Sequence, residues 1–544
     1  YRQIYIMENK ERVKMVSMKR YGLVILSIFV FYVLRAQQYS YEKVLDKDFI
    51  SLNRQAIREY SIPVRPGDND GMPFWNKYAK SFMFAPVFEF VGKDKAKYYR
   101  YTVNDTIHFK ADTPIASLSE IWNVLSIGNH TLVVEAFDKK NRLLGEIGRR
   151  DFIKKYPFKG PYNEAVRTYR ETALKGLLFF SQQPFFNHWI KNQEPDMRHG
   201  YNSYACKIIG STISIAVAIA RYIPEYRENA IQIAKNSASF LIRLSQPEGA
   251  PLAYFPPTYY GDKMTAKRPE NVGKTMMMEA VYVANAFLDM YDLLKDKSYL
   301  DRAVNIARTY LKLQQEDGSW PIKVDFCTAE PVNDAKSTPT ELILLFDRLK
   351  NDYGFTEFVS SREKAFDYVM NHTMKTYDWR GQFEDMTVFV QPYENMTNCT
   401  PSLFACLLLD KKNLSDVDTE KALELIRFCE DQFVLWGTPA DGNGIVPIGI
   451  PCVFEQYDYQ TPVDASACNM INAYIRAYNK TKDALYLAKA MSLTNNITVW
   501  QNTASGFLPT LWKIGQGKDL WMNCAYESIK TLFFMDNYLN KLVK

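Results

Sequence analysis

The sequence predicts a mainly α protein: an (α/α)6 toroid of six helical hairpins, preceded by a small antiparallel β-sandwich. Three observations carry this reading. From about Tyr162 onward the hydrophobic pattern has a helical period and recurs in paired segments. Between Phe82 and about Lys154 it is instead strand-like and broken by turn signals. The chain has 544 residues, more than one hydrophobic core usually supports, so two units are expected.

Taken in order, Met18-Lys19-Arg20 precedes an apolar run from Gly22 to Leu34 and then Arg35-Ala36. A basic start, a short apolar run and a small residue describe an export signal, with Met18 as its start and residues 1–17 as upstream extension. Cleavage is expected after Ala36. The run is too short to span a membrane, which needs about 20 apolar residues, and no Cys follows it to carry a lipid. Residues 37–80 form an N-terminal arm containing the Pro- and Gly-rich stretch Ile62 to Asn76, which either packs on the barrel or a neighbouring subunit or serves as a plain linker. Residues 81–160 contain Phe82–Val91, Tyr98–Val103 and Thr131–Phe137, rich in β-branched and aromatic residues and separated by Asn104-Asp105, Gly128-Asn129 and Asp138–Asn141.

Residues 161–544 contain six charged, amphipathic segments: Asn163–Phe180, Glu225–Leu244, Ser298–Gln315, Ser361–Met374, Asp418–Phe433 and Lys482–Val499. Each is followed by a more apolar helix, starting near Tyr201, Val272, Ser337, Asn395, Asp464 and Trp521. The unit recurs about every 60 to 70 residues, a repeat that dictates the architecture. An open solenoid needs polar outer faces on its end repeats. The last segment, Cys524 to Phe534, is as apolar as the internal ones, which favours a closed ring.

Charge and cysteine usage exclude several functions. The chain carries +6, but seven Lys/Arg against two Glu within residues 1–36 account for +5, leaving about +1 for the remainder. Nucleic acid is not expected as a partner of so neutral a body. Eight Cys and five scattered His show neither a disulfide framework nor zinc spacing, so neither metal nor cofactor is expected. Aromatic residues make up 14% of the chain, a surplus that points to a ligand cleft.

The loops entering the apolar helices hold the unusual residues. They are Arg198, His199, Tyr201 and Tyr204; the Tyr254–Lys274 stretch leading to Glu279; Asp317, Trp320, Lys323 and Asp325; Glu384, Asp385 and Tyr393; Glu455, Tyr457 and Asp464; and Trp521 and Asn523. Aromatic faces cover the C–H faces of sugars while carboxylates, amides and guanidinium groups satisfy hydroxyls. Bland readings stand beside these: Asp464 as a helix N-cap, Asp317-Gly318 as a turn, Tyr201 and Tyr204 as core, and His199 as a hydrogen-bonded structural residue.

Glycoside hydrolysis requires a protonated carboxyl on the leaving oxygen and a second carboxylate as base or nucleophile. Glu384 or Asp385 is paired with Glu455 for these roles, with Asp464 and Glu279 in reserve. Arg198, His199 and Lys323 offer charge for an acidic sugar. Two alternatives remain open: a polysaccharide lyase using Tyr201 or His199 for β-elimination, and a glycan-binding protein without catalysis.

The stretches Arg198-His199-Gly200-Tyr201, Asp317-Gly318-Ser319-Trp320-Pro321, Gly381-Gln382-Phe383-Glu384-Asp385, Glu455-Gln456-Tyr457 and Pro462 to Ala467 resemble exported carbohydrate-active enzymes of gut bacteria built on the six-hairpin toroid. Most of all the chain is similar to the toroidal β-glucuronidase family, which joins an antiparallel β-sandwich to this barrel. The resemblance implies a periplasmic or extracellular enzyme acting on a uronic-acid-containing oligo- or polysaccharide, and a homo-oligomer.

Overall fold

The computed structural model describes residues 39–64, 74–261, 269–385, 391–438, 449–513 and 519–543. The export signal expected over residues 1–36 lies outside the described residues, as does residue range 65–73 of the arm's Pro- and Gly-rich stretch.

The arm folds as helix α1 (Phe49–Glu59), capped by Asp48, whose side chain accepts the Ser51 N–H. Seven strands follow: β1 (Ser81–Phe82), β2 (Val87–Glu89), β3 (Tyr98–Val103), β4 (Ile107–Ala111), β5 (Ile115–Ser117), β6 (Gly128–Phe137) and β7 (Leu143–Lys154). The expected strand Phe82–Val91 is two pieces, β1 and β2, on either side of Pro86, which has no N–H to give a ladder. Five strands form one sheet in the order β1-β7-β6-β3-β4, and β2 pairs with β5 beside it. Phe88 of β2 packs on Phe82 and Phe152 of the larger sheet, with ring centroids 5.7 Å apart in each case. The arrangement is not wholly antiparallel as expected. Ser81 pairs with Ile153 in parallel, because β1 enters from the arm on the same heading as the long β7.

The remainder is helical. The segments read as charged become α2 (Tyr169–Ser181), α4 (Arg227–Leu244), α6 (Lys297–Leu313), α8 (Val359–Tyr368), α10 (Asp416–Phe433) and α12 (Ala484–Trp500). The apolar ones become α3 (Gly210–Tyr222), α5 (Ala280–Leu294), α7 (Thr340–Tyr353), α9 (Cys399–Leu409), α11 (Asp464–Thr481) and α13 (Met522–Leu542). Each apolar helix packs on a charged one, α3 on α4 through α11 on α12, and α13 on α2. The apolar helices also touch in succession, α3–α5–α7–α9–α11–α13, and α13 returns to α3. The apolar stretch Ala205–Tyr222 is long and apolar enough to cross a membrane, but 83% of it is buried within the molecule.

One outer helix departs from expectation. Helix α12 is buried along almost its whole length because the arm lies over it: Gln55 donates to Asp483 at 2.6 Å and the Tyr41 hydroxyl to Ser492 at 3.2 Å. Three consecutive residues at the end of α10 tie the parts together. Glu430 accepts from the Tyr60 hydroxyl, Trp436 Nε1 and Lys489 Nζ at 2.6, 2.9 and 2.8 Å. Asp431 accepts the N–H groups of Met83 and Phe84 at 2.5 and 2.8 Å. Gln432 accepts the Tyr457 hydroxyl at 2.6 Å.

Candidate active site

The first turns of the six apolar helices line one cavity of about 340 Å³. Its wall takes Ser211 from α3, Tyr282 from α5, Glu341 from α7, Thr400 from α9, Asn469 from α11 and Asn523 from α13. No side chain caps any of these six N-termini. By contrast, side chains cap α2, α6, α10 and α12. The positive ends of six helix dipoles therefore lie at the cavity wall.

Lys207 occupies the centre of a charged cluster in this wall. Residues Ala205–Ile209 form a π-helical turn ahead of α3, an irregularity that re-aims side chains and is frequent at functional sites. Lys207 Nζ pairs closely with Glu384 Oε2 and lies 3.8 Å from Glu279 Oε1. Burial alone would strip the Lys207 proton, but the two carboxylates outweigh it and hold the ammonium well above its ordinary range. Glu384 responds in the opposite sense. Burial raises its carboxyl, and the charge and hydrogen bond of Lys207 overcome that and keep it below the usual range.

Two neighbouring carboxyls are pushed up. Burial, reinforced by the Glu384 charge and opposed by Lys207, raises Glu279 to about 8, and its Oε2 has no hydrogen-bond partner. Burial likewise raises Glu455, which lines the cavity, to about 7, with Lys207 opposing and Glu384 and Asp385 adding to it. The wall and the loop beside it thus combine an ionised carboxylate, Glu384, with two carboxyls that hold protons near neutrality, Glu279 and Glu455. That set can donate and accept protons at one bound molecule.

Neighbouring loops hold these groups in place. The Tyr259 hydroxyl donates to the Glu384 carbonyl at 2.6 Å, and Asn271 Nδ2 to the same oxygen at 3.4 Å. Lys323, expected at the substrate, is buried and donates to Asn271 Oδ1 at 2.7 Å, so it acts from behind the site. The Glu455 carbonyl accepts from Asn398 N and Thr397 Oγ1 at 3.1 and 2.8 Å.

The other sequence candidates fall in several places. Asn523 lines the cavity, and Asp385 is exposed beside Glu384. Tyr204 is buried edge-on to Tyr259. The Tyr201 hydroxyl approaches Asp519 at 3.4 Å with its ring against Trp521, which stacks on Tyr459. His199 stacks on Phe185 at 4.2 Å. Arg198 points outward and grips Asp196 at 2.7 Å. Trp320 is fully enclosed, donating to the Tyr310 carbonyl at 3.0 Å, which leaves no ring face for a sugar. Asp317 closes its turn on Ser319 at 2.6 Å. Asp325 does the same with the N–H groups of Cys327 and Thr328 and pairs with Lys274 at 2.9 Å. Tyr393 stacks on Tyr78, and Tyr457 lines a separate cavity between sheet and helices. Asp464 is the first residue of α11 rather than its cap. It is buried away from the cavity lining and accepts from Ser528 Oγ and Ala465 N at 2.8 and 2.9 Å.

Tyr259 and Asn271 fall within the expected Tyr254–Lys274 stretch, whereas Lys207 and Glu341 join the site without having been singled out. Lys207 had a signal: a single charge inside the apolar run Ala205-Cys206-Lys207-Ile208-Ile209. The segments 262–268 and 386–390 of the expected rim lie outside the described residues.

No protein-family model and no curated protein matches the chain. Among solved structures, it is similar to a family 76 glycoside hydrolase from a bovine Bacteroides thetaiotaomicron strain, at 11% identity and a TM-score of 0.44 over 83% of this chain and 94% of that one. It is also similar to a D-mannose isomerase, at 11% identity and 0.48 over 68% and 97%. A third is the cellobiose 2-epimerase of Spirochaeta thermophila, at 9% identity and 0.47 over 69% and 98%. Correspondence of individual residues does not follow at these identities.

Proposed function

We propose that this protein is a glycan-acting enzyme, and specifically a glycoside hydrolase working by paired carboxylates in the cavity of an (α/α)6 toroid. The reading takes residues 161–544 as that toroid, residues 81–160 as the β domain and residues 37–80 as the arm. The export signal assigns the enzyme to the periplasm or the extracellular space.

One observation carries the proposal. Glu455, raised to about 7 by burial, lines the cavity, and Glu384, held ionised by Lys207, reaches that lining lysine from the adjoining loop. Hydrolysis needs this division of labour: Glu455 protonates the departing glycosidic oxygen while Glu384 acts as nucleophile or as base toward water. Glu279 keeps its proton near neutrality and sits beside Lys207, where it tunes Glu384. Asp464, lacking access to the cavity, acts as a structural residue.

The test is a screen of aryl glycosides and polysaccharides, read both for new reducing ends and for the ultraviolet absorbance of an unsaturated product. Release of reducing ends that is lost in Glu384→Gln and Glu455→Gln, with ligand binding retained, is the expected result. An unsaturated product would instead identify a lyase, and binding without turnover a glycan-binding protein.

A further inference from the structure

We infer that the sugar ring accepted by this cavity carries no carboxylate, so that the substrate is a neutral glycan at the reacting position. This rests on the cavity being the active site and narrows what it takes.

The first ground is the inventory of charge around the cavity. Glu279, Glu341, Glu455 and Glu527 contribute to its lining, and Glu384 projects onto Lys207 from the adjoining loop. Lys207 is the one basic residue among the described lining residues. Its ammonium is already engaged by Glu384 and lies 3.8 Å from Glu279. Glu527 is offset by Lys530 at 2.6 Å, whereas Glu341 has no ion pair among the described residues.

The second ground is where the expected cations went. A uronate-binding pocket needs a guanidinium or ammonium free to meet the carboxylate. Arg198 spends its guanidinium on Asp196 outside the cavity, and Lys323 is buried behind Asn271. His199 lies on Phe185 and does not line the cavity. The six helix N-termini do supply positive potential, but Glu384, Glu455 and Glu341 already sit in that field. Burial chiefly, with the Glu384 charge adding to it and Lys207 opposing, pushes Glu279 and Glu455 upward. The enclosed wall therefore already disfavours ionising its own carboxyls and would disfavour an unpaired carboxylate brought beside them. What the wall offers in abundance is hydrogen-bonding groups for hydroxyls: Ser211, Asn285, Thr338, Gln382, Asn469 and Asn523.

The experiment uses thioglycoside pairs that differ only at C6, a hydroxymethyl in one member and a carboxylate in the other, in the gluco, galacto and manno series. Their binding to the intact protein is measured by calorimetry, alongside turnover of the matching aryl O-glycosides. The neutral member of the best-bound pair is expected to bind at least about tenfold more tightly, and added salt should narrow the gap by screening the repulsion. Burial pushes the Glu341 carboxyl upward, so its charge comes in as pH rises. Glu341→Gln should narrow the gap on the alkaline side by strengthening the uronate member alone, whereas a purely structural role would weaken both members together. Equal or tighter binding of the uronate, or no binding by any neutral member, overturns the inference. Neutral binding without hydrolysis of the aryl glycosides would sink the hydrolase reading and leave this one standing.

Discussion

At the residue scale, the cluster makes opposite demands on its two principal carboxyls, and these appear as pH dependence. Glu455 must carry a proton to act as acid, so activity should be lost as pH rises through about 7. Glu384 stays ionised well into the acid range because Lys207 holds it low. A pH profile of kcat/KM on a hydrolysed aryl glycoside checks this, and Lys207→Met should displace the acid limb upward while costing at least ~100-fold in kcat. Asp464 makes the contrasting case. Burial raises its carboxyl to about 8 from an ordinary 3.8, so the folded state keeps a proton that the unfolded chain releases. Its contribution to stability is complete below the unfolded value and is lost as pH climbs to about 8. Asp464→Asn should therefore flatten the dependence of Tm on pH over that window with turnover intact. Glu384 and Glu455 were legible in the sequence because carboxylates in lightly charged, aromatic loops are conspicuous. Lys207 was not, because an apolar helix conceals a single lysine whose purpose depends on partners 72 and 177 positions later.

At the element scale, the alternation of charged and apolar segments was readable throughout, since burial of one helix face imposes a 3.6-residue period whatever the fold's details. The apolar helices begin within about ten residues of where their periodicity changes. The π-helical turn before α3 was not readable, because it follows from tertiary packing rather than local preference. The loops were the weakest part of the reading. Trp320 and Asp317 look like ligand contacts in sequence, yet one fills the core and the other closes a turn on Ser319. Gly318 shows why that turn is demanding: its φ is +90° and a Cβ there would lie 2.3 Å from the Lys364 carbonyl oxygen. Gly318→Ala should cost at least ~1 kcal/mol of stability by denaturant titration. The Glu384 loop gives a second prediction. Tyr259→Phe removes the hydroxyl held by the Glu384 carbonyl, and steady-state kinetics should show roughly a tenfold fall in kcat with KM little changed, since positioning rather than binding is lost.

At the scale of the whole molecule, the strand-rich and helix-rich stretches were visible in the sequence, but the contacts between them were not. Nothing in the sequence of Lys482–Val499 announces that its charged face lies beneath the arm, since Lys489 reads as solvent-facing until Glu430 and Tyr60 are found around it. With both partners only 1% exposed, Lys489→Met leaves an uncompensated carboxylate in the interior. It should destabilise the protein by about 3–5 kcal/mol, measured by chemical unfolding, even though it lies outside the catalytic cavity. The same geometry predicts that this variant will be cleaved more readily within the arm by a low dose of protease, as α1 loses one of its anchors.

The run Glu430-Asp431-Gln432 has a practical corollary. One helical turn holds the arm, the sheet and the Tyr457 loop through adjacent side chains, so these pieces are fastened at a single rivet. Trimming the gene to begin at about residue 161 would leave that rivet gripping nothing and uncover the greasy flank of α12, and such a fragment should come out of cells as insoluble material rather than as a minimal catalyst.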